Sequence, residues 1–107
     1  MKIIKRSGSE AVYDSNKIIA AVQKANASVI DYEKLSDEQI KEIADNVETA
    51  CENMKRSPSV EEIQDMVENQ LMNKRAFTVA RNYITYRYKR ALVRKSNSTD
   101  QQILSLL

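Results

Sequence analysis

A chain of 107 residues with a single glycine can carry its backbone through positive φ at no steric cost in one place, and here that place is Gly8. Ser7-Gly8-Ser9 is a turn sequence. The β-branched pair Ile3 and Ile4 before it suits a pleated strand over Met1 to Lys5, and Glu10 to Tyr13 after it reads as a second short strand, so the first thirteen residues predict a hairpin. Alternation along the first strand puts Ile3 and Lys5 on one face and Ile4 and Arg6 on the other. An apolar group beside a cation suits a base and its phosphates; equally, Lys5 and Arg6 in Lys5-Arg6-Ser7-Gly8 serve to solubilise an edge strand.

The length is that of one domain with a single core. Net charge is only +2, so the overall balance argues for neither a nucleic-acid footprint nor an acidic partner. The distribution is more telling. Twelve of the fifteen acidic residues fall between Asp31 and Glu68, whereas Ala76 to Thr99 holds Arg81, Arg87, Lys89, Arg90, Arg94 and Lys95 without an acid. One end of the fold is therefore expected to be electropositive, unless the run is simply a solvated helix face. With one cysteine and no histidine, neither an internal disulfide nor a His/Cys zinc site can form, and Cys51 sits on an apolar helical position as a small core residue. A reducing, cytoplasmic setting is expected. No stretch is apolar for long enough to span a bilayer, and no signal-peptide pattern opens the chain.

Asp14 is placed to cap a helix from Ser15 to about Ala27, with Ile18, Ile19, Val22 and Ala25 as its apolar stripe. Lys17 falls in its first turn, where the helix dipole disfavours a cation unless an anion is near. After a connection over Ser28 to Leu35, Ser36-Asp37-Glu38-Gln39 is a capping box. The helix that it opens buries Ile40, Ile43, Ala44, Val47, Ala50, Cys51 and Met54. Pro58 ends that helix and favours extended backbone from Ser57 to Val60. Ser59-Val60-Glu61-Glu62 is a second capping box, for a helix with Ile63, Met66, Val67 and Leu71 inside and Gln64 near its first turn. A polar link at Asn73-Lys74-Arg75 leads to the last long helix, Ala76 to Lys95, with an expected inner stripe of Phe77, Ala80, Ile84, Tyr88 and Ala91. Tyr83, Tyr86 and Tyr88 read as core and rim packing rather than base stacking. Ser96 to Thr99 is a polar linker. Ser98-Thr99-Asp100-Gln101, a third capping box, opens a helix whose apolar Ile103, Leu104, Leu106 and Leu107 point to the front end of a longer protein.

The order strand, basic glycine turn, strand, helix, helix, capped helix, basic helix resembles the ATP-cone, a small nucleotide-sensing domain at the N-terminus of many ribonucleotide reductases. The residues that carry the resemblance are Ile3 to Gly8, Tyr13-Asp14, Lys17-Ile18, Ser59 to Gln64 and Ala80 to Arg87. Val67 to Met72, with the continuation through Arg90, Arg94 and the Ser/Asn linker, look most like the anaerobic, glycyl-radical class. The resemblance implies an α+β, mainly α fold, a four-helix bundle capped by a small three-stranded sheet whose third strand is the segment before Val60. It implies ATP or dATP as allosteric effector, Mg2+ accompanying the phosphates, and control of overall activity in a missing catalytic domain. Lys5, Arg6, Lys17 and Lys89 would hold phosphates; Ile3, Tyr13, Ile18 and Val60 would line the base pocket; Gln64 would hydrogen-bond the adenine edge. The domain would occupy 1–95, and 96–107 would be linker and truncated helix. Two departures stand out: Ser7 and Ala11 replace acids usual in the family, although Glu10 is adjacent to Ala11.

On this reading the chain is itself no enzyme and has no catalytic residue, the full-length protein being a ribonucleoside-triphosphate reductase. Partners would be adenine nucleotides, the catalytic domain and other copies of the cone, with no nucleic acid and no membrane. The same cone occurs behind a zinc ribbon in a repressor of reductase genes; with Met1 directly before the strand and a single cysteine, that ribbon is not expected here. A helical interaction module without ligand fits the amphipathic helices but leaves the Lys5 to Gly8 turn unexplained.

Overall fold

The computed structural model describes the backbone of residues 1–106 and the side chains of 1–94. Two short strands, β1 (Lys2–Ile4) and β2 (Glu10–Val12), pair antiparallel with Ile3 opposite Ala11. The turn between them is closed by the Gly8 N–H donating to the Lys5 carbonyl at 2.9 Å and the Lys5 N–H to that of Ser9 at 2.8 Å, with Gly8 at φ +87°. Only glycine takes that conformation without strain. Four helices follow: α1 (Ser15–Asn26), α2 (Asp37–Glu52), α3 (Val60–Asn73) and α4 (Phe77–Leu106). A single 3-10 turn (Asp31–Glu33) lies in the connection between α1 and α2.

The caps read from the sequence for α1, α2 and α3 form, while the third capping box, at Ser98, lies outside the residues whose side chains are described. Asp14 accepts from the Asn16 N–H, and both capping boxes are reciprocal, Ser36 with Gln39 and Ser59 with Glu62. Each satisfies backbone donors that have no partner within the helix. The connection after α1 is pinned from inside by Asn26, buried, whose amide donates to the Leu35 carbonyl at 3.0 Å and accepts from the Leu35 N–H at 2.9 Å. A buried amide with both functions satisfied costs little and fixes the chain path.

The core is a contiguous set from all four helices: Ile18, Val22 and Ala25 of α1, Ile40, Ile43, Ala44, Val47 and Cys51 of α2, Ile63, Val67 and Leu71 of α3, and Ala76, Val79, Ala80 and Tyr83 at and within α4. Cys51 is a buried free thiol, as its apolar position implies, while Ala50, assigned to the same face, is exposed. The inner face of α4 departs further from expectation. Of the stripe Phe77, Ala80, Ile84, Tyr88 and Ala91, only Ala80 is inside; Phe77 is 56%, Ile84 38% and Tyr88 63% exposed. Polar anchors set the rotation of the helix. Asn82 donates to the Ala25 carbonyl of α1 at 2.9 Å, and Arg87 reaches Asp65 at 2.7 Å and Glu68 at 2.8 Å on α3, so the face between them, Val79, Ala80 and Tyr83, turns inward.

The sheet also differs from expectation, having two strands rather than three. Pro58 is fully buried and its carbonyl accepts from the Ile4 N–H at 2.9 Å, but pairing goes no further than one parallel bridge, Ile4 with Ser59. Pro58 has no N–H to donate and α3 begins at Val60, so no ladder can grow there. The linker and new helix expected over 96–107 lie outside the residues whose side chains are described; the helical backbone of α4 carries on through Leu106. No described helix is long and apolar enough to cross a membrane.

Candidate functional site

The hairpin does not lie flat on the bundle. Between it, the first half of α1 and the start of α3 is a cavity of about 300 Å³. Its inner wall is apolar, made by Ile18 and Ala21 of α1, Ile63 of α3 and Tyr83 of α4, with Ile3, Ala11 and Tyr13 from the hairpin side and Val60 opposite. Lys5, Lys17, Asp14 and Gln64 supply the polar groups. An apolar hollow with a few convergent polar side chains is the usual form of a small-molecule site.

The end of β1 at Ile4 decides which cation enters. Lys5 shares the cavity with Ile3, as their common face requires. Arg6, inside the turn, lies on α3 instead, where its guanidinium meets Glu61 Oε1 at 2.7 Å and donates to Gln64 Oε1 at 3.3 Å. Lys17 reaches the cavity because α1 begins under the hairpin, and Asp14, beside it, is engaged as the helix cap. Seven of the nine residues assigned from the sequence therefore line one cavity: Ile3, Lys5, Tyr13, Lys17, Ile18, Val60 and Gln64. Arg6 does not line it; it touches the cavity only through Gln64 and faces a separate groove with Glu68, Ile84 and Tyr88. Lys89 is not brought there, but lines a separate groove of about 230 Å³ between α1 and α4 with Lys24, Asn82 and Tyr86.

The tyrosines differ in environment. Burial pushes the Tyr83 phenol up to about 12, against the pull of Arg87. Burial raises Tyr13 further, helped by Cys51, Glu48, Asp45 and Glu52 nearby, and its hydroxyl has no protein hydrogen-bond partner among the described residues. Tyr13 thus offers the cavity its ring, with its hydroxyl buried toward α2. Tyr86, outside the cavity, is shifted down by hydrogen bonds from Lys24 and Arg90.

Ala11 lines the wall and presents a methyl group there; Glu10 pairs with Ile4 and is exposed, and it does not line the cavity. Ser7 takes part in the turn instead, its hydroxyl 2.8 Å from that of Ser9. Ala21, Ile63 and Tyr83 were not assigned to the site from the sequence. Ala21 follows Lys17 and Ile18 at one-turn spacing, and Ile63 follows Val60 likewise, so helical periodicity carried a signal for both. Tyr83 became visible only with the rotation of α4.

Comparison with known proteins agrees with this architecture. The ATP cone domain family matches residues 1–92. The chain is 38% identical over 104 residues to the vitamin B12-dependent ribonucleoside-diphosphate reductase of Thermoplasma acidophilum, covering 88% of this chain and 12% of that protein. It is 32% identical over 108 residues to the ribonucleoside-diphosphate reductase subunit alpha of Chlamydia trachomatis, covering 94% and 10%. It is also 35% identical over 97 residues to the anaerobic ribonucleoside-triphosphate reductase of Haemophilus influenzae, covering 90% and 13%. The chain spans only about an eighth or less of the length of these relatives. On the span of the family match and on these identities, the chain belongs to the ATP cone domain family.

Proposed function

We propose that the cavity under the hairpin is an effector site for adenine nucleotide, ATP or dATP, and that occupancy regulates a ribonucleotide reductase of which this chain is the sensing domain. The observation that carries the reading is an apolar hollow whose lining brings together Lys5, Lys17 and Gln64. The purine packs between Ile3, Tyr13, Ile18 and Val60, Gln64 hydrogen-bonds its edge, and the two ammonium groups meet the phosphates. Among the described residues no three metal-binding side chains cluster, so Mg2+ in this proposal is carried by the phosphate oxygens. Arg6 is held on α3 by Glu61 and Gln64, and Lys89 lies in its groove between α1 and α4, so neither is counted among the phosphate ligands here.

The reductase relatives include a B12-dependent diphosphate reductase, a diphosphate reductase subunit alpha and an anaerobic triphosphate reductase. The assignment to the anaerobic class rests on Val67 to Met72 and on the run through Arg90 and Arg94, and belongs to the proposal. In it the domain has no chemistry of its own: ATP raises and dATP lowers the activity of the catalytic part.

Calorimetry of the chain with ATP, dATP and GTP tests the reading. Binding of both adenine nucleotides ahead of GTP is expected. Lys5→Ala, which removes one charge-assisted contact of roughly 1.5 kcal/mol or more, is expected to weaken ATP and dATP by about tenfold. The fold should persist, because Lys5 is exposed. Absence of binding by all three refutes the sensor, and equal binding with a steep salt dependence marks a general anion patch.

A further inference from the structure

We infer that Glu61, which lies outside the cavity, is a positioning residue for base selectivity: it holds Arg6, and Arg6 fixes the side-chain amide of Gln64 in the orientation that offers an N–H to the ligand. The inference rests on the nucleotide reading of the cavity and says how that site tells one purine from another.

A glutamine amide is nearly symmetric in shape and can turn over about its last torsion at little cost, so an unrestrained glutamine presents a donor or an acceptor with equal ease. Gln64 is restrained. Arg6 Nη2 lies 3.3 Å from Gln64 Oε1. A guanidinium has five donors and no acceptor, so only the amide oxygen can face it, and the amide nitrogen is left on the other branch. Arg6 in turn is fixed by its contact with Glu61 Oε1 at 2.7 Å. Glu61 and Gln64 are three residues apart on α3 and therefore share a face, and the first helical turn is a favourable place for the Glu61 carboxylate. Arg6 reaches that face from the turn after β1, which the Gly8 N–H closes on the Lys5 carbonyl. One turn sequence, Lys5-Arg6, thus sends one cation into the cavity and the other to lock the residue that reads its contents.

The chemical consequence is selective. On its Watson–Crick edge adenine offers an unprotonated N1, an acceptor, which pairs with the Gln64 N–H. Guanine carries a hydrogen on N1 and sets a donor against a donor. Without the lock the amide can turn over and accept from guanine, so the discrimination falls although every cavity-lining residue is unchanged.

The test is calorimetry with ATP and GTP on the wild-type chain and on Glu61→Ala, Glu61→Asp, Gln64→Ala and the Glu61→Ala/Gln64→Ala pair, with circular dichroism to establish folding of each. Arg6 and Glu61 are 36% and 43% exposed, so the contact is a modest one, and the ATP-over-GTP preference is expected to fall by roughly threefold to fivefold in Glu61→Ala. Glu61→Asp should recover part of it, and Glu61→Ala should have no further effect once Gln64 is alanine, as a relay through Gln64 requires. An unchanged preference in a folded Glu61→Ala overturns the inference while leaving the nucleotide site standing. So does equal tightening of ATP and GTP, which would mean that Arg6 released from Glu61 goes to the phosphates. If the wild type binds neither nucleotide, the reading of the cavity fails first and this inference with it.

Discussion

Tyr13 shows how one side chain can serve a site and burden the fold. Its ring lines the cavity, while its hydroxyl is buried without a protein partner, close enough to Glu48, Asp45 and Glu52 to feel their charge. Leaving a hydroxyl unpaired costs of order 1 kcal/mol or more, so Tyr13→Phe should stabilise the domain by about that amount, seen as a higher urea midpoint with unchanged slope. A lower midpoint would show that the hydroxyl is hydrogen-bonded in solution. Glu62 is the opposite case. Arg56, bidentate at 2.8 and 2.6 Å, and then the Ser59 N–H hold its carboxyl down at about 2, from an ordinary 4.5. Because the folded value is the lower one, the contribution is whole above the unfolded value near 4.5 and is lost as pH falls toward 2. Acid titration of the thermal midpoint should therefore steepen across that window in the wild type and flatten in Glu62→Gln. An identical profile for the two would show that the pair is broken in solution.

Among the elements, α1, α2 and α3 were legible because each has a single apolar face and a start signal: Asp14, Ser36 and Ser59 cap where their spacing implies. Helix α4 was not, because it carries two apolar stripes and no such cap in the sequence. Phe77, Ile84 and Tyr88 recur at helical spacing as well as Ala76, Val79, Ala80 and Tyr83 do, and the larger side chains drew the assignment. What chose between the stripes is tertiary, the bonds of Asn82 to α1 and of Arg87 to α3, and periodicity cannot register a partner on another helix. The third strand failed for a related reason: extended backbone before Val60 was legible, but pairing needs donors, and Pro58 has none. The two stripes are told apart by substitution. Val79→Ala, at a fully buried position, should cost about 1 to 2 kcal/mol for the lost methyl groups and the space they leave. Phe77→Ser, at an exposed one, should change stability by no more than about 0.5 kcal/mol. Reversal of that order would return Phe77 to the core.

For the whole molecule the division of labour is between a four-helix core and a hairpin attached to its edge. The hairpin adds only Ile3 to the margin of the core, and Tyr13 just beyond it, and is tied to the bundle by the bond from the Ile4 N–H to Pro58 and by the exposed contacts of Arg6 with Glu61 and Gln64. A two-stranded ribbon with so little buried surface opens locally at low cost, so the amides of Ile4, Lys5 and Tyr13 should exchange well before those of the helical core. Since the cavity is bounded by the hairpin on one side and by α1 and α3 on the other, a ligand there binds only when the hairpin is closed, and every opening that destroys the site must first release the ligand. At a free ATP concentration of 100 times Kd that adds about 2.7 kcal/mol to the opening, which is about a hundredfold slowing of exchange. Hydrogen exchange read by mass spectrometry should show that slowing in 1–13. The amides of Glu33 and Lys34, bonded within their own 3-10 turn away from the cavity, should open without disturbing it and keep their rates. Undiminished exchange in the hairpin at an ATP concentration that calorimetry shows to be saturating would place the nucleotide elsewhere on the domain, and the groove between α1 and α4 with Lys24 and Lys89 would be the next surface to probe by the same measurement.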